Sequence, residues 1–483
     1  MSQKPNIPLC VDLDGTLIRS DIMLESFVRA FKRHLYIVFM VPFWLMQGKQ
    51  HLKRELANRS EIDVENLPYD YEFLEYLKAQ FGEKRELVLV TGSYKKYAEK
   101  IADYLGIFSG VVSTDDAVNL TGRNKAEYLE KTYGKRNFDY AGNEAKDGHI
   151  WEISRKAIVV NAKPGTIEIA KKSCEVELIF DRKTASIKKY LKAIRIHQWT
   201  KNALIFVPLL ASHEFSQTPL VISALLAFVC FGLCASATYV VNDLLDLDAD
   251  RANSYKKKRA FASGDISILH GLMIAFLLFV LSMIMLFFIP WKFAVVLAIY
   301  IGTTLIYSFK LKTLPMVDVI VLAGLFTSRV VAGAAACKIS PSFWLLAFSV
   351  FVFLSLALVK RASELINLIN SKKEQAKGRG YSVSDLTIVN SMGTASGYLA
   401  VLVFALYINS LDEKLYKNPG MLWFICPLIL FWISRIWLIT ARGNMHEDPI
   451  VFAIKDKGSW VVALISAVFL ALANQSYIQI QAL

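Results

Sequence analysis

The sequence has little that would build a cysteine-based site. Its six cysteines, Cys10, Cys174, Cys230, Cys234, Cys337 and Cys426, show no metal-ligand spacing. Cys230 and Cys234 could share a helix face, which fits small packing residues in an apolar helix. There is no basic stripe with interleaved aromatics, so the net charge of +13 is not read as a nucleic-acid surface. The opening, MSQKPNIPLCVDLDGT, lacks the pattern of a secretory leader. The expectation is that the first domain stays in the cytoplasm.

What is present is unevenly spread. Of 483 residues, 54% are hydrophobic, more than an ordinary soluble protein carries. Residues 1 to about 200 read as a charged domain, and from about 202 onward long apolar runs dominate. These runs lie near 202–212, 219–241, 268–289, 291–309, 316–336, 342–360, 392–410, 420–440 and 459–476. Several approach the ~20 residues that a spanning helix needs. An all-α polytopic membrane bundle of about nine helices is therefore expected. The basic residues gather in the loops: Lys256 to Lys258, Lys310, Lys312, Lys372, Lys373, Lys377 and Arg379. That is the pattern of cytoplasmic loops, and such loops also suit a phosphate-rich substrate.

In the first 200 residues, IPLCVDL (7–13), ELVLVTGS (86–93), GVVST (110–114) and KAIVVNA (156–162) read as strands separated by helical stretches. Alternation of this kind predicts a parallel α/β sheet with its chemistry at the carboxyl ends of the strands. The run LYIVFMVPFWLM (35–46) is too short to span a bilayer and is flanked by Lys32, Arg33, Lys49, Lys53 and Arg54. It reads as a buried helix of a cap subdomain or as an interfacial segment.

VDLDGTL places Asp12 and Asp14 two apart after an apolar strand. With Thr91, with Lys125 in LTGRNKAEYL and with GNEAKD (142–147), the segment resembles the haloacid dehalogenase (HAD) superfamily of phosphohydrolases. The resemblance implies that Asp12 is a nucleophile forming an aspartyl-phosphate and that Asp14 is the general acid and base. It implies that Thr91 and Lys125 hold the phosphoryl oxygens. It also implies Mg²⁺ on Asp12, Asp14, Asn143 and Asp147. Asn143 stands where the family usually has Asp, which lowers the expected affinity for the metal.

The stretch YVVNDLLDLDADRANSYKKKRAFASGD (239–265) follows an apolar run. At 100° per residue, a helix continuing to Asp250 would put Asp243, Asp246 and Asp250 on one face beside Asn242, with Asp248 turned away and solvated. Three carboxylates on one face suit Mg²⁺ carrying substrate phosphates. Asn242-Asp243-x-x-Asp246-x-x-x-Asp250, together with RIHQWTKN (195–202), resembles the UbiA family of membrane prenyltransferases. The expected organisation is a HAD-like domain at 1–165 with a helical cap at about 20–80, a linker at 166–194, and a UbiA-like transmembrane domain at 195–483.

The second polar loop, LVKRASEL to KGRGYS, offers Lys360, Arg361, Glu364 and Arg379. YSFKLKTLPMVD (307–318) offers Tyr307, Lys310, Lys312 and Asp318, and EDPIVFAIKDKGSW offers Glu447, Asp448, Lys455 and Asp456. These segments resemble the branch of that family formed by polyprenyl-phosphate (for example decaprenyl-phosphate) phosphoribosyltransferases. The resemblance implies 5-phosphoribose transfer from phosphoribosyl pyrophosphate to a polyprenyl phosphate. Tyr307, Lys310, Lys312, Lys360, Arg361 and Arg379 are then the phosphate-binding candidates, and the HAD-like domain would remove the 5-phosphate. Two alternatives stay open: transfer of a prenyl group from its diphosphate to an aromatic or other acceptor, and a non-hydrolytic HAD sensor on a membrane module. The expected location is the cell inner membrane, with the HAD-like domain and the transferase loops facing the cytoplasm.

Overall fold

A computed structural model of the protein describes residues 7–115, 119–181, 186–253, 256–371, 380–410, 416–446 and 448–474. The chain divides into two compact units. One comprises Met1–Arg195 and Tyr239–Phe276, the other Ile196–Thr238 and Leu277–Leu483.

The first unit is built on six parallel strands: β1 (Leu9–Val11), β2 (Leu87–Tyr94), β3 (Gly110–Thr114), β4 (Asp139–Gly142), β5 (Lys156–Val160) and β6 (Glu175–Phe180), in the order β3-β2-β1-β4-β5-β6. Alternation along β1 feeds two cores. Leu9 and Val11 pack with Leu89, Ile158, Phe73 and Ile101. Cys10 packs with Val88, Tyr140, Leu129 and Trp151 on the opposite face. Burial on both faces explains why β1 and β2 read as continuous apolar runs. β4 was not legible in that way because it carries Asp139. This buried carboxylate is accepted into the sheet by Arg85 and by Arg155, the latter at 2.9 and 2.5 Å. β6 and the helix Pro164–Ser173 occupy much of the stretch expected as a linker.

Between β1 and β2 the chain forms the helical cap: α1 (Ile22–Arg33), α2 (Ile37–Met46), α3 (Lys49–Arg59) and α4 (Tyr71–Gly82). Asp21 and Asp70 cap α1 and α4 by accepting the Leu24 and Phe73 amides. Beyond β2 lie α5 (Lys95–Leu105) and α6 (Arg123–Tyr133), which cover the sheet.

The second part of the chain is helical among the described residues. Among the described residues, eight helices are long and apolar enough to cross a membrane: Thr218–Leu245, Ile268–Phe288, Trp291–Phe309, Val317–Cys337, Phe343–Asn370, Val383–Asn409, Pro419–Ala441 and Lys457–Asn474. The protein is a multi-pass membrane protein. The first expected segment, 202–212, is not a ninth such helix. It is a 3₁₀ run, Ile196–Phe206, followed by the short helix Val207–Ala211. Gly333 receives it: a Cβ there would stand 1.9 Å from the Ile205 carbonyl oxygen, so only glycine admits this approach. Cys230 and Cys234 are fully buried packing residues in Thr218–Leu245, and Cys230 donates to the Ser282 carbonyl at 3.3 Å.

Candidate functional site

The strand registers assemble the first site. β1 pairs with β2 at Val11↔Leu89 and with β4 at Val11↔Ala141. Thr91 and Asn143 therefore come level with the Asp12–Asp14 turn. Asp12 is nearly buried, and Lys125 on α6 reaches it at 2.7 Å. Lys125 also donates to the Tyr140 hydroxyl at 3.0 Å, and that hydroxyl donates to Asp147 at 3.4 Å. The other Asp147 oxygen accepts the Asn143 and Glu144 amides at 3.0 and 2.9 Å. Asp14 accepts the Ile22 amide at 2.7 Å and the Ser93 hydroxyl at 2.5 Å. Thr91 is buried, and its hydroxyl accepts the Ser93 amide at 3.0 Å. Gly15, at φ +77°, lets the turn close on Asn143, whose Nδ2 would stand 2.2 Å from a Cβ.

The electrostatics divide the carboxylates. Burial, then the charges of Asp21 and Asp12, pushes the Asp14 carboxyl up to about 7, which suits a group that gives and takes a proton near neutrality. Burial and the Asp12 charge raise Asp147 to about 6. Two facing carboxylates with a neighbouring amide oxygen form a hard-oxygen donor set that fits a divalent cation. Sequence reasoning missed Ser93, Asp21, Tyr140 and Lys53. Lys53 reaches from α3 to the Gly92 carbonyl at 2.5 Å. Burial lowers its pKa, while Asp14 and Asp21 act to raise it.

The acidic loop lies in the same unit. The helix Thr218–Leu245 does not continue to Asp250 as expected. It stops at Asp246, whose backbone leaves helical geometry before the short helix Leu247–Arg251. Asp243 and Asp250 are buried nonetheless, and Arg259 joins them, with one N–H group 3.2 Å from Asp243 and 2.7 Å from Asp250. Arg195 adds a forked contact to Asp243 at 2.5 and 3.3 Å, and its guanidinium stacks over Tyr239. A cationic N–H thus stands where a cation bridging the two carboxylates would stand. Asp246 meets Lys32 at 3.5 Å, and Asn242 is half-buried. Among the described residues, no three Asp, Glu, His or Cys side chains converge closely enough to hold a metal. The residues that could contribute to one in this loop are Asn242, Asp243, Asp246 and Asp250.

Asp248 corrects the sequence reading. It is partly exposed but not simply solvated, since Arg29 of α1 holds both its oxygens. Arg29 also pairs with Glu25 at 2.5 Å, and Glu25 accepts from Arg251 at 2.7 and 3.1 Å. Glu25 is wholly buried. Burial opposes its charge, but Arg251 and Arg29 hold its pKa at about 2. α1 therefore touches Asp14 through the Ile22 amide at one end and the acidic loop at the other. Twelve residues at 1.5 Å each set these ends about 18 Å apart.

In the second unit, Arg361 is buried in Phe343–Asn370. It donates to Asp318 at 2.6 Å, to Glu364, and to the Tyr307 hydroxyl at 3.3 Å, and Tyr381 donates to Asp318 at 2.7 Å. Lys310 is exposed and Lys312 half-buried in the turn after Trp291–Phe309. Half-buried Lys360 acts electrostatically on Asp448, which also pairs with Lys201. Arg379 lies outside the described residues, as do Lys372, Lys373, Lys377 and Glu447. Arg329 was not singled out in the sequence. It is buried among the Phe231, Tyr300 and Phe326 rings and donates to Asn202 at 3.1 Å. A cavity of about 900 Å³ in this unit is lined by apolar side chains, among them Leu210, Trp344, Phe348 and Leu470, and by polar ones that include His213, Tyr407, Ser410 and Asn474.

Known proteins resemble both parts. The model of the UbiA prenyltransferase family matches residues 203–455, and that of haloacid dehalogenase-like hydrolases matches residues 9–138. Protein y4nM of Sinorhizobium fredii is 36% identical over 96% of this chain and 90% of its own. Decaprenyl-phosphate phosphoribosyltransferase of Mycolicibacterium smegmatis is 30% identical over 55% of this chain and 86% of its own. A solved UbiA homolog from Archaeoglobus fulgidus bound to GPP and Mg²⁺ aligns with a TM-score of 0.45 at 16% identity, covering 59% of this chain and 98% of its own.

Proposed function

The chain belongs to the UbiA prenyltransferase family and carries a haloacid dehalogenase-like domain, and from that premise we propose that it transfers 5-phosphoribose from phosphoribosyl pyrophosphate to a polyprenyl phosphate and then removes the 5-phosphate. The observation that carries the choice of donor is the 30% identity to a decaprenyl-phosphate phosphoribosyltransferase across most of that enzyme's length. The apolar cavity supports a lipid substrate, because about 900 Å³ holds a long hydrocarbon segment.

In this reading a phosphate oxygen of the lipid attacks the anomeric carbon of ribose and pyrophosphate leaves. Asn242, Asp243, Asp246 and Asp250 would hold Mg²⁺, which when bound supplies positive charge to the departing pyrophosphate. Arg195 and Arg259 orient Asp243 and Asp250 through their hydrogen bonds. Lys310, Lys312, Lys360 and Arg379, with Tyr307, are the candidates for the 5-phosphate and the acceptor phosphate. Arg361, with three acceptors of its own, fixes Tyr307 and Asp318 in place.

In the HAD-like domain, the Asp12 carboxylate attacks the 5-phosphate and the bond to the sugar oxygen breaks. Asp14 gives that oxygen a proton. Asp14 then takes a proton from the water that releases phosphate from Asp12. Lys125 and Thr91 hold the phosphoryl oxygens, and Asp12, Asn143 and Asp147 with the Asp14 backbone would hold a second Mg²⁺. The abundance of Lys and Arg in the loops supports an inner-membrane protein with the HAD-like domain and these loops in the cytoplasm.

Mass spectrometry of the lipid products tests the coupling. Membranes given Mg²⁺, polyprenyl phosphate and phosphoribosyl pyrophosphate should yield the ribosyl lipid with the intact enzyme and the 5-phosphoribosyl lipid with Asp12→Asn. Identical phosphorylated product from both would end the hydrolase half of the reading.

A further inference from the structure

The segment 35–46 is not the buried cap helix that one reading of the sequence allowed. Ile37 and Trp44 of α2 are buried, packing with Ala30, Leu52 and Leu56, and Val41 packs partly buried beside them. Phe39, Phe43 and Met46 are 74%, 60% and 85% exposed, and Leu35, Val38 and Leu45 are exposed beside them. No charged side chain interrupts Leu35–Met46, while Lys32, Arg33 and Lys49 flank it and are exposed.

The first unit also fixes the level at which this face lies. The helix Thr218–Leu245, long and apolar enough to span a bilayer, ends at the acidic loop, so Asp246 lies at or beyond one boundary of the apolar slab. α1 is bound to that boundary by Glu25–Arg251, Arg29–Asp248 and Lys32–Asp246. Ile37 follows Lys32 by five residues, a reach of at most about 18 Å. Ten helical residues are about 15 Å long, half of the ~30 Å hydrocarbon core, so α2 cannot cross it. An apolar face, basic flanks and a seat beside the end of a spanning helix together describe a segment lying in the lipid interface.

We propose that α2 inserts its Phe39–Phe43–Met46 face into the bilayer surface and is attracted there by anionic headgroups. The occupant is the bilayer that the chain's own spanning helices require. α3 leaves α2 through Gln47 and Gly48, and its Gln50 and Lys53 donate to the Asp115 and Gly92 carbonyls, both at 2.5 Å, at the rim of the HAD-like cleft. The cleft is thereby held at the membrane surface, where it takes a lipid-borne phosphate. This last step alone rests on the hydrolase reading.

The test uses the full chain in nanodiscs containing phosphatidylglycerol and a phospholipid with a photoreactive group in its acyl chain. After illumination, the peptide spanning 35–46 should carry lipid adducts at a level near that of Ile268–Met285 and at least tenfold above that of Lys49–Arg59. The double variant Phe39→Asp, Phe43→Asp changes only exposed side chains. It should lose the adducts at least tenfold with its thermal midpoint unchanged, and discs lacking phosphatidylglycerol should give fewer adducts. Labelling no higher than on Lys49–Arg59, or cross-links to a second copy in place of lipid adducts, would overturn the proposal. This readout needs no catalysis, so an inactive hydrolase domain would leave it intact.

Discussion

Glu25→Gln is a sharp test of the ion network that ties α1 to the acidic loop. In the folded protein, Glu25 is held at a pKa of about 2 by Arg251 and Arg29, against burial and against an ordinary value of 4.5. That displacement corresponds to about 3 kcal/mol of stability. Removing one partner of a buried pair and stranding the other gives the same order, about 3–5 kcal/mol. Because the folded pKa is depressed, the contribution is fully present above about pH 4.5 and is lost as pH falls towards 2. At neutral pH, hydrogen exchange should therefore accelerate about 100-fold in α1 and in 246–253, with α5 unchanged. Further loss of Arg251, as in Glu25→Gln with Arg251→Met, should recover part of the protection, because Arg251 is then not left stranded beside a neutral side chain, while Arg29 keeps Asp248 as its partner. A change below threefold in the single variant would refute the reasoning.

Other expected outcomes follow from the same geometry. Asn143→Asp adds a carboxylate beside Asp147 and should lower the Mg²⁺ concentration for half-maximal phosphatase activity by about tenfold, read from a metal titration. Gly15→Ala forces a Cβ against Asn143 at φ +77°, and should abolish hydrolysis and cost more than about 1 kcal/mol in thermal unfolding. Arg195→Gln removes the fork that orients Asp243, and should weaken Mg²⁺ dependence of transfer by about 10–100-fold while leaving hydrolysis of a soluble phosphomonoester unchanged.

What was legible in the sequence was local. Asp12 and Asp14 share one turn, and Lys125 and Asp147 carry motifs of their own. The structure brings these four together, because parallel registers stack strand ends. Lys53 and Tyr140 had no local signal. Lys53 reaches the cleft only through the packing of α3, and Tyr140 lies in a strand whose buried Asp139 hid it. In the acidic loop the carboxylates were legible but their partners were not. Arg195 lies 48 residues before Asp243, and Arg29 lies 219 before Asp248. Helical periodicity placed Asp248 in solvent because it treats a helix as isolated, and it could not register the break at Asp246. Length read the 35–46 run correctly as non-spanning. Which of its faces is exposed depended on how Ile37 and Trp44 pack.

The central claim is the identity of the donor. Membranes containing the intact enzyme, Mg²⁺ and polyprenyl phosphate should incorporate label from phosphoribosyl pyrophosphate carrying a labelled ribose into the lipid fraction, and Asp243→Asn should abolish that incorporation. Label entering product from a prenyl diphosphate instead, with none from phosphoribosyl pyrophosphate, would contradict the account.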